Sequence, residues 1–145
     1  MTADRGAPGG PRVVILADDL IWQTRLASVL ETLGARVERT RTAAAFDAAS
    51  AGAAFAIVDL TARAYQPIPS IEIASARGLR VLGVGQHDDL AQRKAALDAG
   101  AERVFAYRKL FEDGPATLRA WLEGDPPGRS LDSTSVAPTP TAATE

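Results

Sequence analysis

Two apolar stretches of this chain end in carboxylates. Val13-Val14-Ile15-Leu16-Ala17 runs into Asp18-Asp19, and Phe55-Ala56-Ile57-Val58 runs into Asp59. Each is short, almost wholly apolar and rich in β-branched residues, the pattern of a strand buried on both faces in a parallel sheet. Ligand sites in open parallel sheets lie just past the carboxyl ends of the strands. An acid there faces the crevice, so Asp59 is the first candidate for chemistry. The competing reading is that Asp59 caps the following loop through its backbone N–H groups.

Other residues with chemical potential are sparser. His87 is the sole histidine and follows a strand end, where it is either a crevice ligand or a solvated loop residue. Trp22 sits on the apolar side of a helix at its crevice-facing end, as core packing or as a partner anchor. Gly83 and Gly85 do not form a dinucleotide fingerprint, because they fall within a strand and no third glycine opens the next helix. No nucleophile–base pair is evident, which argues against a small α/β enzyme and for a protein that is not one. The scattered cations Arg77, Arg80, Arg93, Lys94, Arg103, Arg108 and Lys109 suit a solvated face, or second a docking patch for an acidic partner.

The elements that would position these residues alternate regularly. The spacing predicts strands at Arg12–Ala17, Ala35–Arg39, Phe55–Asp59, Leu79–Val84 and Arg103–Tyr107. Helices fall between them. Leu20–Leu33 carries Trp22, Leu26, Val29, Leu30 and Leu33 at helical spacing and stops at Gly34. Thr42 caps a small helix through Ser50. Thr61–Ser70, with Pro67 and Pro69, reads as a loop before a helix at Ile71–Arg77. Asp88 is placed to cap a helix from Asp89 to Ala99, and Asp113 with Pro115 to open a last one ending at Gly124. Strand–helix alternation of this kind implies parallel βαβ units and one doubly wound α/β sheet. In the strand order 2-1-3-4-5, the ends of strands one and three are neighbours, which brings Asp18 or Asp19 towards Asp59.

Composition bounds the rest. A chain of 145 residues suits one domain, expected over residues 12–124, with disordered segments at 1–11 and 125–145. The hydrophobic fraction of 46% supports a real core, and the formal net charge of -2 argues against nucleic-acid or anionic-membrane partners. With no cysteine, disulfides and thiolate metal sites are excluded. No apolar run reaches transmembrane length and no signal-peptide core is present, so a cytoplasmic location is expected.

With these elements in place, the sequence resembles the receiver domain of two-component response regulators over about Val13 to Glu123. The resemblance rests on Val14-Ile15-Leu16-Ala17-Asp18-Asp19, Phe55-Ala56-Ile57-Val58-Asp59, Val81-Leu82-Gly83-Val84-Gly85 and Ala96-Leu97-Asp98-Ala99-Gly100-Ala101. It implies a flavodoxin-like fold and a site in which two adjacent acids and an acceptor Asp hold Mg²⁺. The acceptor takes a phosphoryl group from a phosphohistidine. A hydroxyl after strand four and a Lys after strand five bind the phosphoryl oxygens.

Matched position by position, the site is incomplete. Counting from Gly34 puts the acid pair at Ala17 and Asp18, with Asp19 in the variable place beyond. Asp59 matches the acceptor. Counting from Gly100 puts the hydroxyl position at Gly85 and the Lys position at Tyr107, with Lys109 two residues late. The aromatic that changes rotamer in many receivers falls on Val104. Asp18 and Asp59 thus remain as a weak Mg²⁺ site. Losing the charge-assisted Lys bond, roughly 1.5–3 kcal/mol, would alone slow phosphotransfer about ten- to a hundredfold. The resemblance therefore implies a pseudo-receiver signalling by protein–protein interaction, independently of phosphorylation. The alternative is an active phosphorelay receiver accepting phosphate on Asp59. Expected partners are a histidine kinase or another signalling protein. The chain itself is expected as a monomer, or a weak homodimer through helix four, strand five and helix five.

Overall fold

The computed structural model describes residues 10–86 and 88–124. The elements, in chain order, are β1 (Arg12–Leu16), α1 (Leu20–Thr32), β2 (Arg36–Thr40), α2 (Ala43–Ser50) and β3 (Phe55–Asp59). They continue with α3 (Pro67–Ala76), β4 (Arg80–Gly85), α4 (Leu90–Ala99), β5 (Arg103–Ala106) and α5 (Tyr107–Glu123). The strands form one parallel sheet in the order β2-β1-β3-β4-β5. Asp59 is paired with Val84 across the β3–β4 ladder, so the acid, Gly85 and the end of β5 lie along one edge of the sheet.

Side-chain alternation builds a core on each face. Val13, Ile15 and Ala17 point towards α1 and α5, where Trp22, Leu26, Leu30, Leu118 and Trp121 meet Phe55 and Ile57. Val14 and Leu16 point the other way, onto Phe46 of α2, Ile71 of α3 and Ala96 of α4. β2 is an edge strand, as its charges suggest, with Arg36, Glu38 and Arg39 exposed. Gly100 ends α4 at φ 125°, where a side chain would also run into Ser75 of α3, so glycine is required twice over.

Several boundaries differ from expectation. α3 begins at Pro67 and not at Ile71, because proline is tolerated in a first turn, where its missing N–H has no intrahelical role. Asp89, not Asp88, caps α4 by accepting the Gln92 N–H at 3.0 Å. β5 stops at Ala106, and Tyr107 already opens α5. Asp113 (φ -140°) is non-helical and divides α5 into a first segment from Tyr107 and a second that runs through Pro115 to Glu123, so the helix expected to open at Asp113 is present and an additional segment precedes it. The strand edges shift by one residue elsewhere, as expected of frayed ends. No described helix is long and apolar enough to cross a membrane. The terminal segments 1–9 and 125–145 and His87 lie outside the described residues.

Candidate functional site

The crevice at the carboxyl ends of β1 and β3 is built from polar groups that bond one another. Asp59 is buried at the end of β3. Its Oδ1 accepts from the Thr61 backbone N–H at 2.9 Å, the Thr61 hydroxyl at 2.9 Å and the Tyr107 hydroxyl. The first of these is the capping role weighed from the sequence, and the third joins the site to the start of α5. Oδ2 takes no hydrogen bond from the described residues.

Asp18 turns to the opposite wall. Its Oδ2 accepts from the Arg63 and Ala64 backbone N–H groups at 3.1 and 3.3 Å, clamping the β3–α3 loop. Asp19 caps α1, accepting the Trp22 N–H at 3.0 Å. Ala17 is fully buried, and its N–H donates to the Thr40 carbonyl. The adjacent-acid position therefore carries a methyl group packed in the core. Among the described residues, no group of three or more acids or histidines is arranged to hold a metal ion.

Gly85 and Tyr107 stand at the carboxyl ends of β4 and β5. Gly85 is buried, and a side chain there would press on Gln92 Oε1 at 3.3 Å and Leu60 at 3.4 Å. Gln92 is itself fixed, donating to the Leu60 carbonyl at 2.5 Å. Tyr107 occupies the place nearest Asp59 after β5. Its ring meets Trp22 edge-to-face, with centroids 5.3 Å apart, so Trp22 serves the core and the crevice wall together. Lys109 lies away from the site, pairing with Asp113 at 3.3 Å on the exposed side of α5. Val104 is buried.

Burial pushes the Tyr107 hydroxyl well above its ordinary pKa. The Asp59 carboxylate, as hydrogen-bond acceptor and as charge, and Asp19 act in the same sense, while the Thr61 hydroxyl opposes them. Tyr107 is thus a neutral donor at any physiological pH, where a lysine would be a cation.

Some residues of the site carried no sequence signal. Tyr65 is buried in the β3–α3 loop and its single hydroxyl proton is shared between the Leu16 carbonyl at 2.9 Å and the Asp59 carbonyl at 2.8 Å, bridging the ends of β1 and β3. Burial, then Asp59, Asp18 and Tyr107, raise its pKa too. Gln23, buried in α1, donates to the Ala17 and Thr40 carbonyls at 3.1 and 2.8 Å and ties the helix to β1 and β2. A tyrosine two residues before a proline and a glutamine on a helix have no local pattern announcing such contacts.

The architecture matches solved receiver domains. The signal receiver domain of the response regulator NarL from Mycobacterium tuberculosis aligns with a TM-score of 0.68 at 18% identity, covering 81% of this chain and 100% of that one. A CheY-like receiver domain protein from Methanospirillum hungatei aligns with a TM-score of 0.63 at 23% identity, covering 76% and 94%. A response regulator from Burkholderia pseudomallei, solved with a phosphorylated aspartic acid, calcium and citrate, aligns at 0.68 and 16% identity, covering 89% and 76%. No protein-family model and no curated protein sequence matches. The chain has the flavodoxin-like fold of response-regulator receiver domains.

Proposed function

We propose that this chain is a receiver-fold signalling module that acts by protein–protein interaction and not by phosphoryl transfer to Asp59. The observation that carries the reading is the Tyr107 hydroxyl donating to Asp59 Oδ1. A receiver's acceptor needs its oxygens free for a metal and a phosphodonor, with a cation beside it to take up developing negative charge. Here one oxygen already has three protein donors, all of them neutral.

The fit to Mg²⁺ is poor on the same grounds. Mg²⁺ demands near-octahedral oxygen ligation and usually binds through one or two carboxylates. Asp18 is engaged by two loop N–H groups, Ala17 has no carboxylate and its carbonyl already accepts from Gln23, and Asp59 Oδ1 is occupied. Such groups act on transition-state charge, so their replacement leaves the fold intact while the reaction lapses. The partner we assign is another signalling protein, such as a histidine kinase, met in the cytoplasm. The surface would be the face of α4, β5 and α5, by which the chain itself stays monomeric or pairs weakly.

Intact-mass analysis after incubation with Mg²⁺ and acetyl phosphate tests this directly. The expected spectrum shows no adduct. A gain of one phosphoryl group that disappears in Asp59→Asn would establish the alternative, an active phosphorelay receiver using the unengaged Oδ2.

A further inference from the structure

The crevice continues from Tyr107 into an open cavity of about 830 Å³ between the ends of β4 and β5, the start of α1 and the first turns of α5. That volume lies in the range of small-molecule sites, about 300–1,000 Å³. Its floor is Gly85 and Ala106, which contribute almost no side chain, and its walls are Trp22, Tyr107, Phe111 and Ile21. Phe111 and Ile21 are exposed, at 47% and 79%, although both are large and apolar. Three aromatic rings around one open cavity form a surface suited to a flat ring system.

The charges around the cavity select the sign of the ligand. Glu112 is paired with Arg108 at 2.9 Å. Asp19 accepts the first-turn Trp22 N–H, and its charge lies against the positive end of α1. Asp59 is buried behind Tyr107 and carries its three donors. Arg25 differs from all of these. Its guanidinium lies 4.4 Å over the Phe111 ring, and it has no carboxylate partner among the described residues. A guanidinium held over a ring and paired with no carboxylate keeps N–H groups available for an oxyanion.

We propose that this cavity binds a flat aromatic carboxylate of about two fused rings, with the carboxylate on Arg25 and the rings among Trp22, Tyr107 and Phe111. The inference deepens the proposed function, since the Tyr107 wall depends on the bond to Asp59, and it makes the module a sensor of a small molecule. Occupancy would alter the neighbouring α1 and α5 surfaces without any phosphoryl group.

The test uses 2-naphthoate and its neutral isostere 2-naphthamide on the full chain, without Mg²⁺ or phosphodonor, so that it is independent of phosphorylation at Asp59. The chain has two tryptophans, and Trp121→Phe assigns their indole N–H signals in ¹H–¹⁵N spectra. The expected result is a saturable shift of the Trp22 signal by 2-naphthoate, with Trp121 unmoved. The amide should bind at least about tenfold more weakly, the loss of one charge-assisted hydrogen bond. Arg25→Gln should abolish that preference, and Arg25→Lys should restore part of it. Equal binding of acid and amide, a shift centred on Trp121, a preference that survives Arg25→Gln, or no shift at all would each overturn the proposal. None of these outcomes bears on the intact-mass result, so the two readings fail separately.

Discussion

The two halves of the crevice share one edge of one sheet yet are built on opposite principles. At the ends of β1 and β3, polar groups meet polar groups: Asp18 holds two loop N–H groups, Tyr65 bridges two strand carbonyls, and Asp59 gathers three donors. Beyond β4 and β5, Gly85 and Ala106 leave the floor bare and aromatic rings form the walls. The first half is closed by hydrogen bonding, the second left open by small side chains. Buried polar groups left unpaired are expensive, so the closed half resists change at each of its members. The exposed members of the open half, Ile21 and Phe111, make no such demand, and variation at them alters what can enter more than whether the chain folds.

The sharpest break of this contrast is Tyr65→Phe. It keeps the ring but removes the one donor shared by the Leu16 and Asp59 carbonyls, both in the buried interior. A loss of about 1–3 kcal/mol is expected, read as a lower midpoint in urea and a Tm lower by several degrees. Phe111→Ala in the open half should cost less, because its ring is half in solvent. If the two variants lose equal stability, the division of the crevice into a closed and an open half is wrong.

Tyr107→Phe stands on the border. It removes the hydroxyl from Asp59 and Thr61 but keeps the edge-to-face contact with Trp22. Hydrogen bonds to charged groups contribute about 1.5–3 kcal/mol, and partial exposure places this one at the lower end. Chemical denaturation measures it. A loss near zero would mean that the tyrosine hydroxyl is replaced by water at no disadvantage.

Alkaline titration tests the same pair without mutation. The chain has two tyrosines, Tyr65 and Tyr107, so all of its tyrosinate absorbance belongs to the crevice. Both pKa values are raised by burial above the ordinary 10.0. Their neutral forms therefore contribute fully below pH 10 and lose that contribution as pH rises through the higher folded values. The native protein should show little tyrosinate at about pH 11, where free tyrosine is largely ionised, and its stability should fall steadily above pH 10. Ordinary tyrosine titration in the folded protein would show that neither hydroxyl is held as described.

Much of this was legible in the chain itself, for identifiable reasons. Apolar strands ending in Asp18 and Asp59 mark the crevice because a parallel strand has one buried period and one exit. Gly100 gives a fixed point for counting, since its backbone angle and its contact with Ser75 allow no other residue, and the count leads to Tyr107. The prolines misled: Pro67 and Pro69 read as breakers, and only the three-dimensional start of α3 shows them in a first turn. Asp88 and Asp89 are chemically equal as caps, and it is Asp89 that takes the role. Tyr65 and Gln23 act on carbonyls distant in sequence, a relation that no local pattern can carry.

The smallest effect expected is also the most discriminating about how α5 meets the site. Lys109 is the nearest lysine in sequence to the position after β5, and a bulge there would have brought its ammonium to Asp59. Instead Tyr107 opens α5 directly, and two residues later the helix carries Lys109 round to Asp113, half-exposed. An exposed pair at that spacing contributes only about 0.3–0.5 kcal/mol, so Lys109→Ala should scarcely change stability. A double-mutant cycle decides the partner of Asp59. Lys109→Ala combined with Asp59→Asn should be additive within about 0.5 kcal/mol, as for separated sites. Tyr107→Phe combined with Asp59→Asn should show a coupling of about 1 kcal/mol, because one change removes the donor and the other the acceptor's charge from the same bond. Should the lysine cycle couple and the tyrosine cycle not, Asp59 would have a cation beside it, and the case for a site that has given up phosphoryl transfer would lose its main support.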